Sequence, residues 1–179
     1  MNTIQIKDKK FALSIPEAEI QAAVRRVAED INRDMADTNP LFICVLNGAF
    51  MFAGDLMKTI NFPCEITFIK LSSYEGLYTT GTVKEIIGLN ESVVGRNVVV
   101  VEDIVDTGIT MERILESLRA KGASDIHVAT FLQKPDALQR DITVDYVAMK
   151  IPNDFIVGYG LDYDGYGRNL KDIYTVVND

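Results

Sequence analysis

The chain has 179 residues, of which 47% are hydrophobic and 25% are charged, a composition typical of one soluble globular domain with a sizeable core. Its 26 acidic and 18 basic residues give a net charge of −8, which disfavours non-specific binding to nucleic acid without excluding a small anionic substrate. The longest apolar runs have only the length of strands and the N-terminal residues are polar, so we expect neither a transmembrane helix nor a signal peptide.

Stretches with apolar residues at helical spacing alternate with short, continuous apolar runs, which predicts helices alternating with buried strands. The predicted elements are, in chain order, a helix at 14–36, a strand at 41–46, a turn at Asn47-Gly48, a helix at 49–59, a strand at 65–71, a loop or flexible hairpin at 72–81, a strand at 98–103, a helix at 110–121, and strands at 126–132, 145–149, 155–159 and 172–177. Pro16 is typical of a first helical turn, and Gly122 of a left-handed helix stop.

This alternation predicts an α/β fold in which a parallel twisted sheet is flanked by helices. No internal repeat or flexible linker divides the sequence, so we expect a single domain over residues 1–179. Ligands of such sheets bind beyond the carboxyl ends of the strands. The turns at Asn47, Asp106 and Lys134 each follow a predicted strand, so we expect them to meet at that edge of the sheet.

Cys44 and Cys64 lie in apolar, strand-like runs. One pair of cysteines offers no metal-ligand spacing, and this pattern favours reduced thiols over a disulfide. We therefore expect a cytoplasmic protein. His127, the one histidine, lies within a predicted strand and is interpreted as structural.

The most informative stretch is VVVVEDIVDTGIT, at residues 98–110. Its four valines predict a strand buried on both faces, and Glu102 and Asp103 follow at the end of that strand. An ordinary strand–turn–helix connection would explain Asp106 and Thr107 as helix caps. It would not explain two adjacent carboxylates at the end of an apolar strand, because burying an unpaired charge is costly.

The turn at 106–110 opens directly into a predicted helix, which makes it a candidate phosphate site. The first N–H groups of a helix lack partners within the helix, and the helix dipole places partial positive charge there. Thr107 and Thr110 add hydroxyl donors, and Gly108 lets the backbone approach an anion closely. Because carboxylates repel phosphate, the two acids suit ribose hydroxyls or a Mg²⁺-bound sugar, so the stretch indicates a ribose 5-phosphate site.

This stretch resembles the phosphoribosyl-pyrophosphate (PRPP) signature of the type I phosphoribosyltransferases. The resemblance covers most of the chain, because further motifs occur in the order found in hypoxanthine(-guanine) phosphoribosyltransferases. These motifs are Leu46-Asn47-Gly48, Ser73-Tyr74, Lys134 and residues 155–168. The last of them separates this group from the adenine and orotate enzymes. The resemblance implies a parallel sheet with a small hood over the active site, and a homodimer or homotetramer.

On the PRPP side, the resemblance implies Mg²⁺ as a cofactor and Asp106 as the general base. The implied ligand groups are Glu102, Asp103, Asp106, Thr107, Gly108 and Thr110 for PRPP, Asn47, Gly48 and Arg168 for pyrophosphate, and Glu102, Asp103 and Asp162 for the metal. The family's pyrophosphate loop carries a non-proline cis peptide, and many members have a basic residue where Asn47 stands. A simple Asn-Gly turn is the alternative for this segment.

On the purine side, the resemblance implies binding by Lys134, Phe155, Ile156 and Asp162. The lysine would donate to O6 of a 6-oxopurine and disfavour adenine, whose exocyclic amine is itself a donor. Phe155 would stack on the ring, and Ile156 would offer backbone groups to its edge. The alternatives are a solvated surface lysine and an aromatic residue of the core.

Ser73-Tyr74 begins the stretch that matches the family's mobile lid, near residues 72–84. Reaction at the ribose C1 passes through an oxocarbenium-like state that water could intercept, so a closing lid would exclude water. A surface hairpin without this role would have the same composition.

The sequence therefore predicts a purine salvage enzyme that converts hypoxanthine, with guanine as a second base, and PRPP into the nucleoside monophosphate and pyrophosphate. We expect it to act on these small molecules and to bind neither nucleic acid nor membrane. Two alternatives stay open: a PRPP- or nucleotide-sensing regulator on the same fold, and a phosphoribosyltransferase for another base. The acidic charge disfavours the first, and Lys134 with residues 155–168 disfavours the second.

Overall fold

The computed structural model describes residues 2–75 and 82–178. The helices within these residues are α1 (Glu17–Met35), α2 (Phe50–Thr59) and α3 (Ile109–Ala120), with a short 3₁₀ turn at Pro135–Ala137. The strands are β1 (Thr3–Ile6), β2 (Lys9–Ile15), β3 (Leu41–Val45), β4 (Glu65–Glu75), β5 (Thr82–Ile87), β6 (Asn97–Val105), β7 (Asp125–Gln133), β8 (Tyr146–Lys150), β9 (Ile156–Val157) and β10 (Ile173–Val176). None of the described helices has both the length and the apolar character needed to cross a membrane.

The larger of the two sheets has the strand order β5-β4-β3-β6-β7-β8. Strands β4, β3, β6, β7 and β8 run parallel, and β5 pairs antiparallel with β4 at one edge. This sheet, with its helices, confirms the predicted α/β fold.

Helices cover both faces of the larger sheet, which explains the unbroken run of valines. Val99 and Val101 pack in the core formed with α1 and α2, whereas Val98 and Val100 pack in the core formed with α3. All four valines are fully buried, because successive strand residues face opposite sides and both sides are covered. The two acids that follow therefore lie in the carboxyl-terminal half of a central strand.

The smaller sheet is antiparallel, has the strand order β1-β2-β10-β9 and joins the two ends of the chain. Its own core is built around Phe11, Val157 and Tyr174. The strands predicted at 155–159 and 172–177 belong to this sheet and not to the parallel one. It corresponds to the hood that the family resemblance implies.

The N-terminal strands account for the largest differences from the predicted elements. Strands β1 and β2 were not predicted, because β2 buries only Phe11 and Ile15 and therefore lacks an apolar run. Helix α1 begins at Glu17 and not at Ser14, because β2 continues through Ile15 and Pro16 is the residue before the helix.

Two strands of the larger sheet extend further than predicted. Strand β6 continues past the two acids, so Glu102 and Asp103 lie within it. Strand β4 continues to Glu75 and pairs with β5, so the first residues of the loop predicted at 72–81 belong to a hairpin. Residues 76–81 of that loop lie outside the described residues.

Two smaller predictions are confirmed. Gly122, just after α3, has a left-handed φ of +91°. Cys44 and Cys64 are both free. Burial raises the pKa of the Cys44 thiol to about 12, with a further contribution from the charges of Glu102 and Asp103, so this thiol is inert at neutral pH.

Candidate active site

A cavity of about 390 Å³ opens at the carboxyl ends of β3 and β6 and beside Lys70 and Leu71 of β4. It brings together the phosphate turn, the Asn47-Gly48 turn, the acids of β6 and two residues from the segment between β9 and β10. The predicted site residues that line it are Asn47, Gly48, Glu102, Asp103, Asp106, Thr107, Gly108, Thr110, Asp162 and Arg168. Its position is the one expected for ligands of a parallel α/β sheet.

The phosphate turn leads from β6 into α3. Gly108 is the N-cap residue of α3, has a φ of +86°, and makes no side-chain cap. The Thr107 hydroxyl accepts a hydrogen bond from the backbone N–H of Ile109 at 3.3 Å. Neither Asp106 nor Thr107 is the N-cap residue of α3, but the Thr107 hydroxyl binds the first N–H of the helix. The following N–H groups of the first turn are the ones that can bind an anion.

Replacing Gly108 by alanine is expected to raise the KM for PRPP and to destabilise the fold by about 1–2 kcal/mol. The left-handed backbone disfavours any side chain, and the new Cβ would lie 3.0 Å from a methyl carbon of Leu138 and 3.3 Å from Cβ of Arg140. The measurements are the KM for PRPP and the melting temperature.

The matched control for this prediction is Gly54→Ala. Gly54 lies within α2, and no atom lies within 4 Å of a Cβ built there, so alanine should stabilise the helix by about 0.5–1 kcal/mol. PRPP binding should not change. If folded Gly108→Ala protein binds PRPP as well as the parent, the phosphate site lies elsewhere.

Glu102 and Asp103 are held by backbone N–H groups of their own strand. The Glu102 carboxylate accepts from the N–H of Asp103 at 3.0 Å, and the Asp103 carboxylate accepts from the N–H of Ile104 at 2.7 Å. Burial raises the pKa of the Glu102 carboxyl well above its usual range, and the neighbouring Asp103 raises it further. Glu102 is thus buried and Asp103 is partly exposed, and backbone N–H groups orient both side chains at the cavity wall.

The three predicted metal ligands do not meet as a cluster. Asp162 Oδ1 instead lies 3.0 Å from the guanidinium of Arg168. Within residues 2–75 and 82–178, no three His, Cys, Asp or Glu side chains are arranged to hold a metal ion. Glu102, Asp103 and Asp162 still line one cavity, and their carboxylates are the type of ligand that suits a hard cation whose remaining ligands come from a substrate and water.

The Asn47-Gly48 turn joins β3 to α2, and the peptide bond between Leu46 and Asn47 is cis, as the resemblance implies. The turn is packed tightly from two sides. A Cβ on Gly48 would overlap the Asp103 carboxylate, and a Cβ on Gly160 would overlap the carbonyl oxygen of Gly48. Glycine is therefore needed at position 48 for the close contact with Asp103, and at position 160 for the close contact with Gly48.

Lys134 follows β7 directly and is buried, with 8% of its surface exposed. Its ammonium lies 3.7 Å from the carboxylate of Asp106, the half-exposed acid at the start of the phosphate turn. The alternative of a solvated surface lysine is therefore wrong. Lys134 is not among the residues that line the cavity, but its partner Asp106 is. A buried cation needs such a paired carboxylate, and this pair connects the end of β7 to the phosphate turn.

Phe155 and Ile156 are not among the residues that line the cavity. Phe155 is 45% exposed, and its ring packs edge-on against that of Tyr163, with 5.7 Å between centroids. Ile156 is buried in β9 and pairs with Thr175. Their purine-binding roles stay predictions.

Ser73 and Tyr74 lie in β4, where their partners in β5 are Lys84 and Val83. The tip of the predicted lid, at 76–81, lies outside the described residues. The predicted structural histidine lies away from the cavity, and its Nε2 is 2.9 Å from Asp125.

Among the lining residues missed from the sequence, Lys70 of β4 carries a charge. The signal was a lysine near the end of the apolar run EITFIKL, on the strand next to β3. In the sheet its predecessor, Ile69, accepts a hydrogen bond from the N–H of Leu46 at 2.8 Å, so Lys70 lies beside the Asn47-Gly48 turn. It adds a positive charge to a cavity wall that otherwise carries several acids.

A family model, two relatives in sequence and a solved structure all indicate the same protein family for this chain. The family model described as "Phosphoribosyl transferase domain" matches residues 16–164. The chain is 41% identical over 157 residues to the hypoxanthine-guanine phosphoribosyltransferase of Bacillus subtilis, covering 87% of each chain. It is 34% identical over 174 residues to that of Aquifex aeolicus, covering 96% of this chain and 98% of the relative. A crystal structure of a hypoxanthine phosphoribosyltransferase from Staphylococcus aureus superposes with a TM-score of 0.85 at 34% identity, covering 93% of this chain and 91% of that one.

Proposed function

Because the chain belongs to the phosphoribosyltransferase family, we propose that it transfers the 5-phosphoribosyl group of PRPP to hypoxanthine and guanine and releases pyrophosphate. Relatives named for this activity match nearly its whole length. The observation that carries the proposal is the buried ammonium of Lys134, which lies 3.7 Å from Asp106, an acid that lines the cavity together with the phosphate turn. A 6-oxopurine and a ribose 5-phosphate can be recognised side by side there.

The phosphate turn would hold the 5-phosphate of PRPP. The N–H groups of the first turn of α3 and the hydroxyls of Thr107 and Thr110 would donate to it. Glu102 and Asp103, already oriented by backbone N–H groups, would accept hydrogen bonds from the ribose hydroxyls.

The pyrophosphate group would lie between the Asn47-Gly48 turn and Arg168. The arginine is held by two contacts, one to Asp162 at 3.0 Å and one to the carbonyl of Gly160 at 2.7 Å, so its planar donors are pre-oriented. Because Asn47 carries no charge, Arg168 and Lys70 would supply the positive charge on this side.

Mg²⁺ would be held by Glu102, Asp103 and Asp162 together with oxygens of PRPP and water. Carboxylates beside a diphosphate are the donor set that this ion prefers. When bound, it would neutralise the charge that develops on the leaving pyrophosphate.

Asp106 would act as the general base near the purine N7, which makes the base more nucleophilic toward the ribose C1. Lys134 would donate to O6 and hold the purine in place. Phe155 would stack on the ring and Ile156 would offer backbone groups. Much of the rate enhancement would come from positioning and charge stabilisation.

We expect the chain to work as a single domain over residues 1–179, in a homodimer or homotetramer. A lid near 72–84, beginning with Ser73 and Tyr74, would exclude water from the oxocarbenium-like state. Light scattering measures the oligomeric state, and the rate of PRPP hydrolysis without a purine reports how well water is excluded.

The direct test incubates purified protein with PRPP and Mg²⁺ and, in turn, hypoxanthine, guanine, adenine and uracil. Consumption of the two 6-oxopurines with equal release of pyrophosphate is expected. Consumption of only adenine or uracil would indicate a transferase for another base. PRPP binding without consumption of any base would indicate a regulator.

Replacing both acids of β6, with Glu102→Gln and Asp103→Asn, is expected to weaken PRPP binding by about 10- to 100-fold, the usual effect of losing hydrogen bonds to charged acceptors. Free purine should bind as before, because it does not contact these groups. Calorimetry at fixed Mg²⁺ measures both affinities.

Asp145→Asn is the matched control for this pair. Asp145 also accepts a backbone N–H within the sheet, from Val128 at 2.8 Å, but it lies at the opposite ends of the strands. Its replacement should leave PRPP affinity unchanged. Equal PRPP affinity in the parent and the doubly substituted protein would contradict the assignment.

A further inference from the structure

Tyr159, in the segment between β9 and β10, combines burial in the core with a left-handed backbone and a side-chain hydrogen bond. Only 2% of its surface is exposed, and its ring packs edge-on against Phe131 with 4.8 Å between centroids. Its backbone has a φ of +43°, a conformation that is costly for a bulky residue and persists only where the surroundings enforce it. Its hydroxyl donates a hydrogen bond of 2.5 Å to Asp55 of α2.

Asp55 is the point at which three parts of the fold are joined. Besides Tyr159, it accepts from the side-chain amide of Gln21 in α1 at 2.9 Å and pairs with Lys58 at 2.9 Å. Burial works to raise the pKa of Asp55, but the hydrogen bonds from Gln21, Tyr159 and Lys58 outweigh it and lower the pKa below its usual value. The acceptor of the tyrosine hydroxyl is therefore a carboxylate, which makes the hydrogen bond stronger than one between neutral groups.

This contact connects the two elements to which the proposed function assigns the pyrophosphate. Helix α2, which carries Asp55, begins directly after the Asn47-Gly48 turn. The residue after Tyr159 is Gly160, whose Cα lies against the carbonyl of Gly48. Gly160 also accepts from the Arg168 guanidinium at 2.7 Å and donates its N–H to the Arg168 carbonyl at 3.0 Å.

We propose that Tyr159 and Asp55 form a positioning pair that sets the distance between the Asn47-Gly48 turn and Arg168, and thereby the affinity for the diphosphate of PRPP. The inference rests on the proposed function, because it takes this cleft as the diphosphate site. Neither residue touches the substrate. The pair acts through Gly160, and small displacements of positioned groups have large effects on transfer reactions.

The test is Tyr159→Phe, which removes one oxygen and leaves the packing against Phe131. The KM for PRPP and the dissociation constant for pyrophosphate should both rise about tenfold, the effect of losing one hydrogen bond to a charged group. The KM for hypoxanthine, and kcat at saturating PRPP, should stay within about twofold. Asp55→Asn keeps an acceptor of the same shape and should give a smaller rise, so it serves as the conservative variant.

The chain offers a matched control in Tyr146→Phe. Tyr146 is also buried, at 8% exposure, and its hydroxyl also donates to an aspartate, Asp34, at 3.1 Å. It lies at the opposite end of the larger sheet, where β8 begins. Its replacement should lower the melting temperature as Tyr159→Phe does, without changing the affinity for PRPP or pyrophosphate.

If Tyr159→Phe lowers the melting temperature like Tyr146→Phe but leaves the affinity for pyrophosphate unchanged, the pair is only structural and the proposal is wrong. Should Tyr159→Phe fail to fold, Asp55→Asn decides, and an unchanged pyrophosphate affinity there overturns the proposal equally. Calorimetry with pyrophosphate needs no turnover, so it separates this outcome from a failure of the proposed function, which would appear as an inactive parent protein.

Discussion

Asp106→Asn is expected to lower kcat by ~10²–10⁴-fold, the usual range for the loss of a general base. Asparagine keeps the size of the side chain and removes the group that accepts the purine proton. Asp106 is the acid proposed for this role; it opens the phosphate turn, lines the cavity and lies 3.7 Å from the buried ammonium of Lys134. Single-turnover kinetics measure the chemical step apart from product release.

The control for Asp106→Asn is Asp136→Asn. Asp136 is an exposed acid of the 3₁₀ turn just after Lys134, so its replacement changes the net charge equally and should leave the chemical step unaffected. PRPP affinity should change by only a few-fold in either variant, since the phosphate donors remain. A single-turnover rate in Asp106→Asn equal to that of the parent would exclude the general-base role.

Lys134→Gln is expected to narrow the preference for hypoxanthine over adenine by about tenfold or more. An ammonium can only donate, so it pairs with O6 of a 6-oxopurine and faces a second donor in adenine. Because Lys134 is 8% exposed, water cannot fully compensate for the lost partner, which costs roughly 1–3 kcal/mol or more for a charge. Glutamine can rotate to donate or accept, so it tolerates both bases.

The measurement is kcat/KM for hypoxanthine and for adenine in both proteins. Lys150→Gln is the control, since Lys150 is an exposed lysine at the end of the neighbouring strand, opposite Gln133 in the register. Lys150→Gln removes the same charge from the same edge of the sheet. It should not change the ratio of kcat/KM for hypoxanthine to kcat/KM for adenine. If the ratio also stays the same in Lys134→Gln, the ammonium does not read the purine, and the substrate assignment loses its main support.

The phosphate turn was predictable because all its determinants are adjacent in the chain. The run of residues 98–110 contains the buried strand, the two acids, the glycine and the start of the helix, and local patterns report such short-range features well. The extension of β6 beyond the acids was not predictable, because it depends on pairing with β7, from Glu102 with Thr130 to Val105 with Gln133. A strand ends where its partners end, and the partners are distant in sequence.

The antiparallel hood, formed by β1, β2, β10 and β9, was not predictable from residues adjacent in the chain. Strands β2 and β10 pair through residues such as Phe11 and Val176, which lie near the two ends of the chain. Strand β2 is half-exposed, so its composition does not separate it from a loop or from the start of α1. Only the closed sheet decides that residues 9–15 form a strand, because the backbone hydrogen bonds that stabilise it come from the far end of the sequence.

The sequence by itself determined the alternation of helices and strands, the phosphate turn and the residue types of the candidate site, because each depends on neighbours along the chain. The tertiary structure alone decided that Lys134 is buried beside Asp106, that Lys70 enters the cavity, and that Tyr159 donates to Asp55. These contacts join different strands and helices, and the distance between two side chains across such elements is set by packing in three dimensions, which no local pattern encodes.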